Sequence, residues 1–231
     1  MCLTISSASI SGVLRQMSKQ LGSMMTTQSM GRAPVAPSEF FATTAIASFA
    51  YFAIALLVMH ALRPERALAT TYISGYAVGP YGWVMTTAWL AASSGCLMLV
   101  LGLARTGPRS AAARLGTLLL AILSIGLLLT AIFPPGPTRS GEIHSMTFLA
   151  NVVCILLASV LLAVGFGSDP RWHAFQHTAA TLASLIVLAF VLQFLTAYTE
   201  VLYGLANRLF VTVLVAWWLA ISIKLHALAR E

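Results

Sequence analysis

The sequence predicts an all-α, multi-pass membrane protein in which six transmembrane helices form one bundle. Hydrophobic residues make up 59% of the 231-residue chain and charged residues only 8%, whereas soluble domains carry about 25% charged residues. Apolar runs recur that are long enough to cross a bilayer as helices, and the prolines fall before or between these runs. So few charges could not keep this much apolar surface in solution, so a water-soluble globular domain is excluded.

The apolar runs number six, and each is about 19 to 23 residues long. That length matches the ~20 helical residues needed to cross ~30 Å of hydrocarbon. In chain order, the predicted spans cover residues 40–62, 83–104, 115–133, 143–165, 176–197 and 208–227.

Residues 1–39 differ from the rest of the chain in composition. They are rich in Ser, Met, Thr and Gln, and they lack the continuous apolar core of a signal peptide. We expect a polar, disordered tail or a weak surface helix here. The six-helix domain is then predicted to occupy residues 40–231.

The distribution of basic residues predicts how the bundle is oriented. With six spans, the N-terminal tail, loops two and four, and the C-terminal tail share one side of the membrane. That side carries nine basic residues: Arg15, Lys19, Arg32, Arg105, Arg109, Arg114, Arg171, Lys224 and Arg230. The opposite side carries four: Arg63, Arg66, Arg139 and Arg208. The positive-inside rule therefore predicts cytoplasmic termini, with loops one, three and five facing outward.

Most of the polar and aromatic residues that could form a site lie in or just below the outward loops. The candidate ligand-binding residues are His144, Glu142, Arg208, Asn207, Glu200, Asn151, Gln193, Tyr76, Tyr81 and Trp83. Asn151 follows His144 by seven residues, so both lie on nearly one helix face, about 10 Å apart along the axis. Gln193 precedes Glu200 by the same interval. A polar line is thus predicted to continue into the outer half of the membrane.

Two interpretations of this polar set remain open. In the first, the residues are structural: polar side chains bond between helices, loop ion pairs tie the outer ends together, and Tyr and Trp form an interfacial belt. In the second, the set lines a pocket that opens outward. His144 would then serve as a neutral acceptor near a helix start, and Arg208 would contact phosphate or carboxylate.

The functional classes can be ranked by what each one requires. An intramembrane hydrolase or transferase acting on a lipid-like substrate would have only Glu142, His144 and Glu200 as candidate catalytic groups. A small transporter would need ionisable groups near the bilayer centre and broken helices. The sequence therefore favours a non-catalytic protein that binds a membrane lipid, a small ligand or a partner subunit through its outward loops. The enzyme and the transporter remain the alternatives.

No cofactor can be named from the sequence, and no metal site or nucleic-acid partner is predicted. His173 and His177 are spaced i, i+4, but a metal site needs more ligands than these two. The formal net charge of +7 does not require a nucleic-acid partner, because excess Lys and Arg in a membrane protein set its orientation and bind anionic lipid.

Three sequence motifs resemble the signatures of a known family. The run ISGYAVGPYGWVM at residues 73–85, the Phe-Pro…Gly-x-x-His pattern at 133–144, and Asn207-Arg208 before a Trp-containing last helix are similar to those of a bacterial six-helix membrane family. That family is catalogued as domain of unknown function 998. Members usually carry an Asp soon after the Phe-Pro, where this chain has Pro135 and Gly136. The resemblance covers roughly residues 40–228 and implies six helices in a bacterial cytoplasmic (inner) membrane, with no established activity.

The predicted orientation can be tested with reporter fusions. Alkaline phosphatase fused after Glu231 should stay inactive, because the enzyme would remain in the cytoplasm, whereas a fluorescent protein at that position should fluoresce. Phosphatase fused after Gly136 in loop three should be active. Strong phosphatase activity after Glu231 would contradict the orientation.

Overall fold

The computed structural model describes residues 37–231 and, in the preceding tail, Gln16 alone. The predicted polar tail therefore lies almost entirely outside the described residues. Residues 37–231 contain six α-helices, one short 3₁₀ helix at Ile73–Ala77 within loop one, and no strand. The α-helices are α1 (Pro37–Leu62), α2 (Gly82–Thr106), α3 (Ala111–Ile132), α4 (Arg139–Phe166), α5 (Pro170–Tyr198) and α6 (Tyr203–Ala229).

All six helices are long and apolar enough to cross a membrane, which confirms the predicted all-α, six-span fold. The largest difference from the predicted boundaries is the start of α5, six residues earlier than expected. Asp169 caps this helix by accepting a hydrogen bond from the Arg171 amide at 2.9 Å, and Pro170 occupies a first-turn position, where its missing N–H costs nothing. The predicted span does not include the first turns of α5, because it was drawn from the apolar run. The start of the helix is set instead by its capping residues.

The helices form a ring in chain order. Each helix packs against its sequence neighbours, α6 closes the ring against α1, and α2 also contacts α6 across the interior. Arg230 near the end of α6 lies 3.9 Å from Glu39 at the start of α1, so these two helix ends meet at one end of the bundle. We call the end formed by loops one, three and five the odd-loop end, and the other the even-loop end.

Small residues set the distance between neighbouring helices. A Cβ added at Gly165 would lie 2.7–2.8 Å from atoms of Ala113, and one at Gly95 would lie 2.7 Å from the Phe49 ring. Such close approach is typical of membrane helix pairs, whose association depends on van der Waals contact because lipid tails are as apolar as the side chains.

Reciprocal hydrogen bonds join α2 and α3. The hydroxyl of Ser93 donates to the Ser124 carbonyl at 2.8 Å, and the hydroxyl of Ser124 donates to the Ser93 carbonyl at 2.9 Å. Both residues are buried, so neither bond competes with water. This pair fixes the axial register of the two helices.

The close contact at Gly165 predicts a stability difference between two glycine substitutions. Gly165→Ala should lower the thermal unfolding temperature in detergent, although Ala is the better helix former, because overpacking costs about 1–3 kcal/mol. Gly136→Ala should have no comparable effect, since nothing lies within 4 Å of its added Cβ. Equal unfolding temperatures for the two variants would contradict the proposed packing.

Candidate functional site

A central cavity of about 430 Å³ lies between the helices and reaches loops one and three at the odd-loop end. Every helix and loop one contribute to its wall. Its polar and indole-bearing lining residues are Tyr72, Ser74, Trp89, Thr130, His144, Ser145, Asn151, Gln193, Asn207 and Trp218. The rest of the wall is aliphatic or Phe, apart from Pro135.

His144 of α4 lies on this wall near the odd-loop end. Its Nδ1 is 2.8 Å from the carbonyl oxygen of Phe133. Because a carbonyl can only accept, Nδ1 must be the donor, and in the neutral ring Nε2 is then an acceptor. Within the described residues Nε2 has no hydrogen-bond partner. The side chain thus joins loop three to α4 and leaves an acceptor for a ligand.

A chain of amides crosses the cavity wall between α5, α6 and loop one. The Asn207 Oδ1 accepts from the backbone N–H of Ile73 at 2.9 Å, and its Nδ2 donates to the Gln193 Oε1 at 3.2 Å. Asn207 and Gln193 are both buried. This chain orients both amides, so the amino group of Gln193 remains a donor without a partner among residues 37–231.

Asn151 extends the polar wall deeper along α4. It is about 10 Å below His144 along the helix axis, and its Nδ2 donates to the Thr130 hydroxyl of α3 at 3.3 Å. Gly126 makes room for it, because a Cβ there would lie 1.8 Å from the Asn151 Oδ1. The interval of seven residues read from the sequence therefore places both side chains on the cavity wall.

Aromatic rings form the floor of the cavity. The Phe52 ring lies 5.0 Å from that of Trp89 and 6.3 Å from that of Trp218, between centroids, and Trp218 stacks on Phe49 at 4.8 Å. Trp218 follows Asn207 by eleven residues, which places it about 16 Å deeper along α6. The indole N–H groups of Trp89 and Trp218 are buried and have no acceptor among the described residues.

Some residues of α4 and α5 both line the cavity and are exposed. Ser145 and Phe148 of α4 and Phe194 of α5 belong to the lining, and all three are exposed. The exposed fraction is 41% for Phe148 and 64% for Phe194. This combination indicates an opening between α4 and α5, which in a membrane would connect the cavity to the lipid.

Arg208 fastens loop one to the start of α6. Its Nη1 donates to the carbonyls of Leu68 at 3.0 Å and Thr71 at 2.7 Å, and its Nη2 donates to the Tyr76 hydroxyl at 3.0 Å. Its Nε donates to the His60 Nε2 at 2.7 Å. Because Arg can only donate, the His60 Nε2 must accept, and the His60 Nδ1 donates to the Leu56 carbonyl.

Arg63 fixes the second half of loop one. It is buried, and its Nη1 donates to the carbonyls of Val78 at 3.1 Å and Pro80 at 2.8 Å. Gly79 between them has φ +91°, a conformation that favours glycine. Arg63 also pairs with Glu65, and this hydrogen bond holds the pKa of the Glu65 carboxyl below its ordinary value. The Gly-Pro-Tyr-Gly turn therefore has a fixed shape.

The family comparison covers the whole of this arrangement. The family model described as "protein of unknown function (DUF998)" matches residues 45–224, which include loop one, the cavity and parts of all six helices. The chain belongs to the DUF998 family. No curated protein and no solved structure matches it.

This DUF998 protein brings four of the ten predicted site residues together on the cavity wall: His144, Asn151, Gln193 and Asn207. Two others, Arg208 and Tyr76, belong to the fastening of loop one and do not line the cavity. The remaining four are exposed and lie outside the lining: Glu142, Glu200, Tyr81 and Trp83. Four of the predicted residues thus lie on the wall of one cavity, whereas the charged and exposed aromatic candidates lie elsewhere.

The sequence analysis did not predict the aromatic floor, nor that His60 and Arg63 hold loop one. Trp89 and Trp218 lie within spans, away from the interfaces where Trp is usually found, and this unusual position could have marked them as candidates. The contacts of His60 and Arg63 join positions up to 148 residues apart in sequence, so no local pattern marks them.

At the even-loop end, side chains cap helices. The Trp172 indole donates to the Thr106 carbonyl at 3.2 Å, and the Arg171 guanidinium, bonded to Asp169, holds the pKa of that carboxyl below its ordinary value. His173 and His177 are exposed, and residues 37–231 contain no cluster of three or more His, Cys, Asp or Glu suited to a metal ion.

The role of Arg208 can be tested by limited proteolysis. Arg208→Gln should speed trypsin cleavage after Arg66 in loop one about tenfold or more, because losing charge-assisted hydrogen bonds costs about 1.5–3 kcal/mol and cleavage follows the open population. Arg139→Gln, which changes an exposed arginine in α4, should leave that rate unchanged. Equal rates in the two variants would contradict the fastening role.

Proposed function

We propose that this DUF998 protein is a non-catalytic binding protein that holds a lipid-like amphiphile in its central cavity. One observation carries the proposal: the cavity combines a polar wall and an aromatic floor with an opening toward lipid between α4 and α5. A soluble ligand would need no such opening, whereas a membrane lipid would enter through it directly.

The dimensions and chemistry of the cavity fit this proposal. Its volume of about 430 Å³ falls within the ~300–1,000 Å³ typical of small-molecule sites. The side chains of His144, Gln193 and Asn151 offer hydrogen bonds to a headgroup inside the bundle. A hydrocarbon tail would leave past Phe148 and Phe194 and stay within the bilayer, where it loses no apolar burial.

The geometry favours binding over catalysis. Of the three candidate catalytic groups, Glu142 and Glu200 are exposed and lie outside the cavity lining, and the Nδ1 of His144 is engaged by the Phe133 carbonyl. The Ser145 hydroxyl donates to the Gly141 carbonyl at 2.9 Å and has no base beside it among the described residues. Within residues 37–231, no acid, base and nucleophile are brought within reach of one another, as hydrolysis requires.

The proposed setting is the cytoplasmic membrane of a bacterium, with both termini inside and the odd-loop end outward. The excess of Lys and Arg on the even-loop side supports this orientation. The cavity opening would then face the outer leaflet, because its lining residues on α4 and α5 lie in the half of each helix nearer the odd-loop end. The amphiphile would be taken from that leaflet.

Native mass spectrometry with a blocked variant tests the proposal. Purified protein is equilibrated in mild detergent with an equimolar mixture of 1-monooleoylglycerol, oleate and lysophosphatidylglycerol. The unchanged protein should retain at least one probe as a one-to-one adduct. Ser145→Phe should lose that adduct, because the larger side chain fills the opening.

Ala150→Phe is the matched control. Ala150 is also exposed on α4 but does not line the cavity, so this variant should keep the adduct. Retention of the adduct by Ser145→Phe, its loss in both variants, or the absence of any adduct in the unchanged protein would contradict the proposal.

A further inference from the structure

We infer that the headgroup of the ligand is uncharged and combines a hydroxyl donor with an acceptor oxygen, because α4 presents an acceptor to the cavity and α5 presents a donor. The inference rests on the proposed function and specifies the chemical class of the amphiphile. It depends on two atoms, the His144 Nε2 and the Gln193 Nε2, whose hydrogen-bonding roles are fixed by neighbouring residues.

The role of the His144 Nε2 is set by loop three. The Nδ1 of His144 lies 2.8 Å from the carbonyl oxygen of Phe133, and a carbonyl can only accept. The proton of the neutral imidazole therefore sits on Nδ1, which leaves Nε2 as an acceptor. No group within residues 37–231 donates to it, so α4 offers the ligand an acceptor at this point.

The role of the Gln193 amino group is set by two hydrogen bonds in series. The backbone N–H of Ile73 can only donate, so the Asn207 atom that it meets at 2.9 Å must be the acceptor Oδ1. The Asn207 Nδ2 is then a donor, and it meets the Gln193 Oε1 at 3.2 Å. The Gln193 Nε2 has no acceptor among the described residues, so α5 offers the ligand a donor.

A ligand in the cavity can reach both atoms. His144 and Gln193 belong to the cavity lining, and their side chains are buried. Within residues 37–231, the unpaired polar atoms that are fully enclosed are three indole nitrogens. The His144 Nε2 and the Gln193 Nε2 are not among them, so both atoms keep accessible surface.

The two side chains also lie at the same depth. His144 is five residues from the Arg139 start of α4, and Gln193 is five residues from the Tyr198 end of α5, which is about 7.5 Å along each helix axis. Both helix ends belong to the odd-loop end of the bundle. One headgroup between α4 and α5 could therefore bond to both atoms.

A ligand that satisfies both atoms must donate to His144 and accept from Gln193. A carboxylate can only accept and an ammonium can only donate, so neither meets both requirements. The described lining contains no carboxylate, ammonium or guanidinium group that would offset a charged headgroup, and burying an unpaired charge is costly. A hydroxyl next to a carbonyl meets both requirements without charge. Two lipid sources carry this pair: a partial ester of glycerol and an N-acyl amino alcohol.

The test compares four probes that share one oleoyl chain, by native mass spectrometry titration of the full-length protein in mild detergent at about pH 8, where imidazole is neutral. 1-Monooleoylglycerol and N-oleoylethanolamine carry a hydroxyl and a carbonyl, methyl oleate carries the carbonyl without a donor, and oleate is charged. The tighter of the two hydroxyl probes should bind about three- to tenfold more strongly than methyl oleate, the net effect of one hydrogen bond. It should also bind more strongly than oleate, and it identifies the source.

His144→Asn separates the ligand contact from the contact with loop three. The Asn amide can still donate to the Phe133 carbonyl, because its Nδ2 takes the place of the imidazole Nδ1, but it has no counterpart of Nε2. The preference for the hydroxyl probe over methyl oleate should therefore disappear, while the affinity for methyl oleate stays the same.

Ser140→Ala is the matched control. The Ser140 hydroxyl donates to the Pro134 carbonyl at 3.0 Å, so it also joins α4 to loop three, but Ser140 does not line the cavity. This variant should keep the preference for the hydroxyl probe.

Gln193→Glu tests the donor on α5. The change keeps the Oε1 that accepts from Asn207 and replaces the amino group with an oxygen. Both 1-monooleoylglycerol and methyl oleate lose the same bond to their carbonyl, so both should bind about three- to tenfold more weakly. Unchanged affinities would contradict the Gln193 contact.

Failure of this inference can be distinguished from failure of the proposed function. Binding of methyl oleate or oleate as tight as that of the hydroxyl probes, or equal preferences in His144→Asn and Ser140→Ala, would overturn the ligand class, while loss of adducts in Ser145→Phe would still support a bound amphiphile. If no probe forms an adduct with the unchanged protein, the proposed function itself fails. Should His144→Asn not fold, the comparison of probes in the unchanged protein decides the inference.

Discussion

The hydrogen bonds between Asn207-Arg208 and loop one are the constraint on which the odd-loop end of the bundle depends. Arg208 donates to loop-one carbonyls and to Tyr76, while Asn207 accepts from the Ile73 amide. No carboxylate pairs with Arg208 within residues 37–231, so its charge is met by neutral acceptors. Without these bonds, the loop would have several backbone carbonyls unpaired near hydrocarbon, where water cannot satisfy them.

Loop one in turn forms part of the cavity wall, because Tyr72, Ile73 and Ser74 line it. The same Asn207 that holds the loop also orients the Gln193 amide. The hydrogen bonds that hold loop one and the polar lining of the cavity are therefore coupled, because a change in the loop would alter the direction of the Gln193 amide on α5. This coupling gives a physical reason for adjacent Asn and Arg residues at the start of α6, one facing the cavity and the other facing the loop.

The ring of helices explains why an interior space exists. Small residues bring α1 and α2, and α3 and α4, into close contact, and the paired serines hold α2 against α3. Large rings of Phe52, Trp89 and Trp218 fill the interior below the cavity. Above them, the side chains of His144, Asn151, Gln193 and Asn207 make hydrogen bonds to neighbouring helices and loops, so space remains at the centre. The side opening lies where α4 and α5 present Ser145, Phe148 and Phe194.

The sequence by itself determined the six spans, because apolar length and proline positions are local properties that a bilayer enforces directly. Helical spacing also predicted that His144 and Asn151 share a face. The tertiary structure decided that Arg208 binds a loop and that Glu142 and Glu200 lie outside the cavity. It also decided that Trp218 and Trp89 meet at one floor. These outcomes depend on which distant elements pack together, and each of the six spanning helices is apolar on most of its surface. Hydrophobicity therefore marks the spans without showing which face of each helix turns inward.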